Sequence, residues 1–331
     1  MNIIHLPIEI AGQIGTICGS LLQKGHFARG YNYFVTYLGY KENLLNTDLF
    51  EMGRMFEEAV CHFDLFHYHY ASSLFPNFKD LELLHRQGKP MVMHHWGNDV
   101  RMASLAKHRN PYVYTGDSPP EEKIRETLMR ISQYVSDAIV QDHEVLPYVQ
   151  PFYRRVHVIP LAVDLSKFPV CYPSLTEKSP LVVHAPTNAE FKGTQYVEEA
   201  ITRLRKELSF RYVRVEKLPH HQAVQLYRQA DIVVDQLLCG SYGLLSVEAM
   251  ALGKPVVAHI RPDLAGTYGM VVPICNANPD TIHDVLKALI LSPDMRVQAG
   301  KAGRKYVEQI HDSNKVTDQL LRVYHLVMGN R

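Results

Sequence analysis

Residues 231–260 read Asp-Ile-Val-Val-Asp-Gln-Leu-Leu-Cys-Gly-Ser-Tyr-Gly-Leu-Leu-Ser-Val-Glu-Ala-Met-Ala-Leu-Gly-Lys-Pro-Val-Val-Ala-His-Ile. Asp231 to Asp235 is a short apolar run with strand character. Gly240, Ser241 and Gly243 make a small-residue turn, and Leu244 to Leu252 has helical composition. Gly253 with Lys254-Pro255 stops that helix, and Val256 to Ile260 is again strand-like. A glycine-bearing turn that feeds a helix exposes unpaired backbone N–H groups at the positive end of the helix dipole, which suits an anion such as phosphate. Glu248 lies about one turn inside the helix, where a carboxylate is badly placed for phosphate but well placed for the diol of a ribose. The same residues also fit a plain turn followed by a helix with a solvated acid, because short glycine motifs are weakly specific.

The full segment Ser241-Tyr-Gly-Leu-Leu-Ser-Val-Glu248-Ala-Met-Ala-Leu-Gly-Lys-Pro-Val-Val is similar to the signature of the retaining GT-B glycosyltransferases of family 4. That signature reads approximately Glu-Gly-Phe-Gly-Leu-x-x-x-Glu-Ala-Met-Ala-x-Gly-x-Pro-Val. The resemblance implies an α/β protein of the GT-B class, with two Rossmann-like domains whose parallel sheets face a central cleft. The expected division is 1–165 for an acceptor-side domain and 166–310 for a nucleotide-sugar domain. A helix in 311–331 would return to the first domain. Phe168 to Pro180, with three prolines, reads as the linker.

Other stretches extend the resemblance. Leu161-Ala-Val-Asp164-Leu-Ser-Lys-Phe168 is similar to the family's crossover. Thr187-Asn188-Ala-Glu-Phe-Lys192-Gly193 is similar to the element that grips the donor diphosphate, with Thr187 or Asn188 near the place of the usual arginine. A lysine ammonium is a suitable counter-charge for a leaving diphosphate. In the amino-terminal half, a strand over 2–6 leads into Ile10-Ala-Gly12-Gln13-Ile-Gly15 and a helix, the opening of a Rossmann-like unit without dinucleotide spacing. His94-His95-Trp96-Gly-Asn-Asp99-Val-Arg101 is similar to a His-x-His-Gly-Ser-Asp-x-Arg element of the family, with Trp96 and Asn98 replacing its second histidine and its serine.

The resemblance assigns His94, Asp99 and Lys192 to catalysis. It assigns Gly12, Gln13, Thr187, Asn188, Lys192, Ser241, Tyr242, Gly243, Leu244, Leu245 and Glu248 to the nucleotide-sugar donor. The implied reaction moves a sugar to an acceptor hydroxyl with retention and needs neither metal nor cofactor. His67, His69, His94 and His95 have a spacing that permits a metal ion if their strands are adjacent, but no carboxylate–histidine framework accompanies them, and a sugar-lining role fits better.

One position departs from the pattern. The family's first acid, eight residues before Glu248, is Gly240 here, and Asp235 and Gln236 are the candidates to stand in for it. That departure keeps two alternatives open: a scaffold that binds a nucleotide-sugar without turnover, and a GT-B sugar-nucleotide epimerase.

Composition bounds the rest. The chain has 331 residues, 46% hydrophobic and 21% charged, which suits two soluble domains. A formal charge of +1 argues against nucleic acid as a partner. Five scattered cysteines without a Cys-x-x-Cys pair suggest reduced thiols in the cytoplasm. No signal peptide or membrane-spanning run is read; the basic, irregular stretch from Arg101 to Tyr114 reads as a solvated loop, and a cover over the acceptor cleft or peripheral contact with a membrane are the alternatives. The expected partners are the donor and a carbohydrate, lipid-linked or protein acceptor.

Overall fold

A computed structural model describes residues 1–329, so the last two residues of the expected 311–331 helix lie outside the described residues. The chain forms two compact units. Unit 1 holds residues 1–105, 118–162 and 313–331, and unit 2 holds 106–117 and 163–312. Residues 106–117, expected in the first domain, thus cluster with the second.

Unit 1 contains β1 (Asn2–Leu6), β2 (Phe27–Asn32), β3 (Leu44–Asn46), β4 (Leu65–His69), β5 (Met91–His95), β6 (Asp137–Val140) and β7 (Arg155–Val158). Its helices are α1 (Gln13–Gln23), α2 (Leu49–Arg54), α3 (Phe56–His62), α4 (Lys79–Arg86), the first residues of α5 (Ala103–Arg109), α6 (Glu121–Ser132) and α7 (Leu146–Val149). The parallel sheet has the order β3-β2-β1-β4-β5-β6-β7. The chain reverses its winding between β1 and β4, and the carboxyl ends of strands at such a switch point are where open α/β sheets take ligands.

Unit 2 contains β8 (Leu181–His184), β9 (Arg211–Arg214), β10 (Ile232–Val234), β11 (Val256–Ala258) and β12 (Cys275–Asn276). Its helices are α8 (Ala189–Lys192), α9 (Thr194–Leu204), α10 (His220–Gln229), α11 (Leu244–Ala251), α12 (Ile282–Leu291) and α13 (Pro293–Ile310). The order β12-β11-β10-β8-β9 puts its switch point between β8 and β10. The last helix, α14 (Ser313–Gly329), belongs to unit 1. Its buried Val316, Leu320, Val323 and Tyr324 join Ile14, Ile17 and Leu21 of α1 in one core, so a single apolar stripe ties both helices to the sheet.

Two elements differ from the sequence reading. From sequence alone the apolar run Gly269–Pro273 reads as the last strand, but the edge strand is Cys275–Asn276, which pairs with Val257 and Ala258. Val271 is 89% exposed, so that apolar run has no layer to bury it. The basic stretch after Arg101, read as a loop, contains the helix α5.

Candidate active site

The switch point of unit 2 gathers the residues of the opening stretch. Asp235 follows β10 and is fully buried. Its Oδ2 accepts from the backbone N–H of Gly243 (3.1 Å) and Ser246 (3.3 Å) and from the Ser246 hydroxyl (2.6 Å). The carboxylate therefore caps α11 from a distance of eight residues, at the positive end of the dipole. The Lys192 ammonium donates to Asp235 Oδ1 at 2.6 Å and to Gln236 Oε1 at 2.7 Å. Burial opposes the Asp235 charge, but Lys192, Ser246 and Gly243 outweigh it and hold the carboxyl below the usual aspartate range. Two of the amides foreseen for phosphate, those of Gly243 and Ser246, are thus taken by the chain's own carboxylate. Lys192, with three N–H donors, keeps one beyond Asp235 and Gln236.

Glu248 lies on α11 and is nearly buried. Its Oε1 meets His220 Nε2 at 2.7 Å, from the first turn of α10. Oε2 has no hydrogen bond to a described residue, so one carboxylate oxygen is held by the protein and the other is available to a ligand hydroxyl. Burial of His220 opposes its protonation, yet the hydrogen bond and the charge of Glu248 carry its pKa above the ordinary histidine value. A raised folded pKa gives stability that is complete below the unfolded value near 6.5 and is lost as pH rises through the folded one. Against His220→Asn, the parent should therefore be the more stable below about pH 6 and lose that advantage as pH rises through the raised folded value, as urea unfolding would read. A pH-independent difference between the two would remove the ionic part of this pairing.

The remaining donor candidates are held less openly. Ser241 Oγ meets Tyr268 OH at 2.9 Å, and its carbonyl accepts from Gln236 Nε2. The Tyr242 hydroxyl lies 2.9 Å from both Tyr306 OH and His311 Nε2, a buried brace to α13. Leu244 and Leu245 form the first turn of α11. Asn188 caps α8 by accepting from Glu190 N and Phe191 N, while Thr187 is exposed. Gly240 has φ +84, and a Cβ there would lie 2.5 Å from Arg261 Cγ and 3.1 Å from Asn110 Nδ2.

In unit 1 two of the expected site residues brace the backbone. The Gln13 amide donates to Ala162 O (3.0 Å) and accepts from Ala162 N (2.8 Å), so it is spent on the backbone after β7. Gly12 is left-handed and precedes α1, whose Ile14 and Gly15 N–H groups are taken by the Glu9 carboxylate. Asp99 accepts from Trp96 N, Gly97 N and His95 Nδ1, which fastens the turn after β5 and uses both oxygens. Arg101 makes a two-pronged buried pair with Glu144. Asp99 and Gln13 are therefore both engaged in holding the fold.

The histidines divide by strand face. His95 points one way, with Nε2 at 2.9 Å from Tyr153 OH. His5, His67, His69 and His94 share the other face, as the register pairs His5 with His67 and His69 with His94. All four are buried. His5, His67 and His69 bring one nitrogen each within 4.8 Å of one another. Sequence reading grouped His67, His69, His94 and His95 and missed His5; the strand period of two is the signal that separates His95 from the rest.

Sequence comparison adds what the chain is similar to. A profile described as glycosyl transferase-like matches residues 179–322. That stretch of the chain is similar to the glycosyl transferase-like family. The chain is 24% identical to the MMP alpha-(1->4)-mannosyltransferase of Mycolicibacterium hassiacum, over 72% of its own length and 66% of the relative's. The chain therefore spans slightly less than two-thirds of that relative. Its fold is that of the GT-B proteins: sucrose-phosphate synthase from Thermosynechococcus elongatus matches with a TM-score of 0.65 at 13% identity, over 100% of both chains. The Anabaena protein HepE, solved in complex with UDP-glucose, matches with a TM-score of 0.65 at 14% identity, over 98% of this chain and 99% of that one. Among the described residues, no helix is long and apolar enough to cross a membrane.

Proposed function

We propose that the protein transfers a glycosyl group from a nucleotide-diphosphate sugar to an acceptor hydroxyl, with retention and without a metal ion, in the cytoplasm. The acceptor is a carbohydrate, a protein or a lipid-linked sugar, the last reached by peripheral contact with the membrane. The observation that carries this reading is Glu248: a nearly buried carboxylate at the switch-point end of unit 2, with one oxygen fixed by His220 and the other open. Two ribose hydroxyls are the partners such a group suits. Lys192 offers its remaining N–H to the leaving diphosphate, while Asp235 and Gln236 fix its position.

The Asp235 plug favours a second reading, a binder without turnover. Phosphate cannot take the Gly243 and Ser246 amides while Asp235 holds them, so stabilisation of the leaving group rests on fewer donors. Titration calorimetry with UDP-, GDP- and ADP-sugars tests both readings. One nucleotide should bind the parent. Glu248→Gln removes the charge of the ribose acceptor and should weaken binding about 10–100-fold, from the 1.5–3 kcal/mol of a charged hydrogen bond. Unchanged affinity in that variant sinks the ribose assignment. Binding without a glycosylated product across an acceptor panel supports the second reading, and an isomerised sugar nucleotide marks an epimerase.

A further inference from the structure

Four buried imidazoles, one indole and one phenol in unit 1 make a continuous series of hydrogen bonds. Trp96 Nε1 lies 3.3 Å from His69 Nδ1. His69 Nε2 lies 3.1 Å from His5 Nδ1. His5 Nε2 lies 3.5 Å from the Tyr324 hydroxyl, the longest link. That hydroxyl lies 2.7 Å from His67 Nδ1, and His67 Nε2 lies 3.2 Å from His94 Nδ1. His94 Nε2 ends the series, buried and without a hydrogen-bond partner among the described residues.

The direction of the series follows from the chemistry of its first member. An indole nitrogen only donates. Each imidazole is neutral, because burial, with the neighbouring histidines adding to it for three of the four, drives all four pKa values below the ordinary one, that of His5 to about 3. A neutral imidazole has one N–H and one acceptor nitrogen. Trp96 donates to His69 Nδ1, so the His69 proton is on Nε2 and goes to His5 Nδ1. His5 then carries its proton on Nε2 and donates to the Tyr324 oxygen. Tyr324 donates in turn to His67 Nδ1, which puts the His67 proton on Nε2, toward His94 Nδ1. The His94 proton is left on Nε2.

We propose that this relay fixes His94 as a neutral imidazole whose Nε2–H is a dedicated hydrogen-bond donor, so that His94 binds an acceptor oxygen of an uncharged group and cannot serve as a general base. Trp96, His69, His5, Tyr324 and His67 are its positioning residues. The nearby cation does not redirect it toward an anion, because Arg101 is neutralised by Glu144. The stacking of Trp96 on His94, with ring centroids 3.9 Å apart, closes the relay back on its own end. A metal ion held by His5, His67 and His69 is the competing account of the cluster. It would bury a double charge among neutral rings, with no carboxylate among the groups that act on their pKa values. It would also take the nitrogens that the relay already pairs.

The test is tautomer assignment by long-range proton–nitrogen correlation in the ligand-free full chain with 15N-labelled histidine, using His94→Gln to assign the His94 signals. It needs no donor, so it stands or falls separately from the transferase reading. The parent should show His5, His67, His69 and His94 as neutral Nε2–H tautomers at neutral pH. Trp96→Phe keeps an aromatic ring but removes the donor that sets the direction, and His94 should become a mixture of Nδ1–H and Nε2–H forms. Tyr324→Phe cuts the relay in the middle and should give the same mixture. A parent His94 that is protonated or carries its proton on Nδ1 overturns the proposal, even if neither variant folds. So does a pure Nε2–H form in both folded variants, which would mean that packing alone sets the tautomer. Stoichiometric uptake of added zinc with displacement of the His5, His67 and His69 signals replaces the relay with a metal site.

Discussion

Lys192→Met should lower stability by about 3–5 kcal/mol, measured by urea unfolding, because it leaves the Asp235 carboxylate buried without its cation. Asp235 is fully enclosed, and the ammonium 2.6 Å away is the full charge that balances it. The double variant Lys192→Met with Asp235→Asn should recover most of that loss. Asparagine keeps an oxygen for the Gly243 and Ser246 amides at the start of α11, and no buried charge remains. A coupling energy near zero between the two positions would show that the pair is not the reason for the destabilisation. The consequence for enzymology is direct. Loss of activity in a Lys192 variant cannot alone be read as loss of a diphosphate contact, and the double variant supplies the control: if it is folded and still inactive, the lysine acts on the ligand.

Gly240→Glu, which puts back the acid of the family pattern, should destabilise by about 3 kcal/mol or more and restore nothing. A left-handed backbone costs a residue with a Cβ about 1–3 kcal/mol, and overpacking adds about 1–3 kcal/mol. Both apply at φ +84, with Arg261 Cγ 2.5 Å from the added carbon. Arg261 has little freedom to retreat: its backbone N–H donates to Gly240 O at 2.9 Å, and its guanidinium grips Asp263 through two bonds. Gly240→Ala carries the same first carbon and should account for most of the loss. Thermal unfolding of the two variants, with nucleotide calorimetry on the glutamate one, checks this. A Gly240→Glu protein as stable as the parent, with tighter nucleotide binding, would mean that the loop rearranges to accept the acid and that the glycine is a recent loss.

Much of unit 2 was legible because its signals are local. The helix read over Leu244–Leu252 ends one residue earlier, and the strands on either side of it follow from apolar runs bounded by glycine and proline. In unit 1, β2 and β3 escaped the reading. Phe27-Ala-Arg-Gly-Tyr-Asn alternates in burial, but the buried places are filled by Ala28, Gly30 and Asn32, which carry no hydrophobic signal. Gly30 is needed because Ile14 of α1 and Leu44 of β3 close over it, a reason that exists only once the elements are assembled. The site was harder still. Sequence proximity suggested that Lys192 and the α11 amides await phosphate, and only the fold shows Asp235 between them. Likewise Asp99 and Gln13 are polar residues at strand-end turns, where a ligand contact and a backbone brace look alike until the partners are seen.

The membership of residues 106–117 in unit 2 has a consequence for dissecting the chain. The family-matched stretch, 179–322, is not a self-sufficient piece. Asn110, from the excursion, donates to Leu238 O at 2.7 Å beside the Gly240 turn, Tyr112 bonds Asp280, and Tyr114 bonds Glu190 at the start of α8. A fragment cut at the linker would lose this clasp and leave the Leu238 carbonyl without its asparagine. It would also carry α14 away from the core of unit 1, to which that helix belongs. With four crossings, at 105/106, 117/118, 162/163 and 312/313, the two units are threaded through one another, and no single cut yields two intact halves.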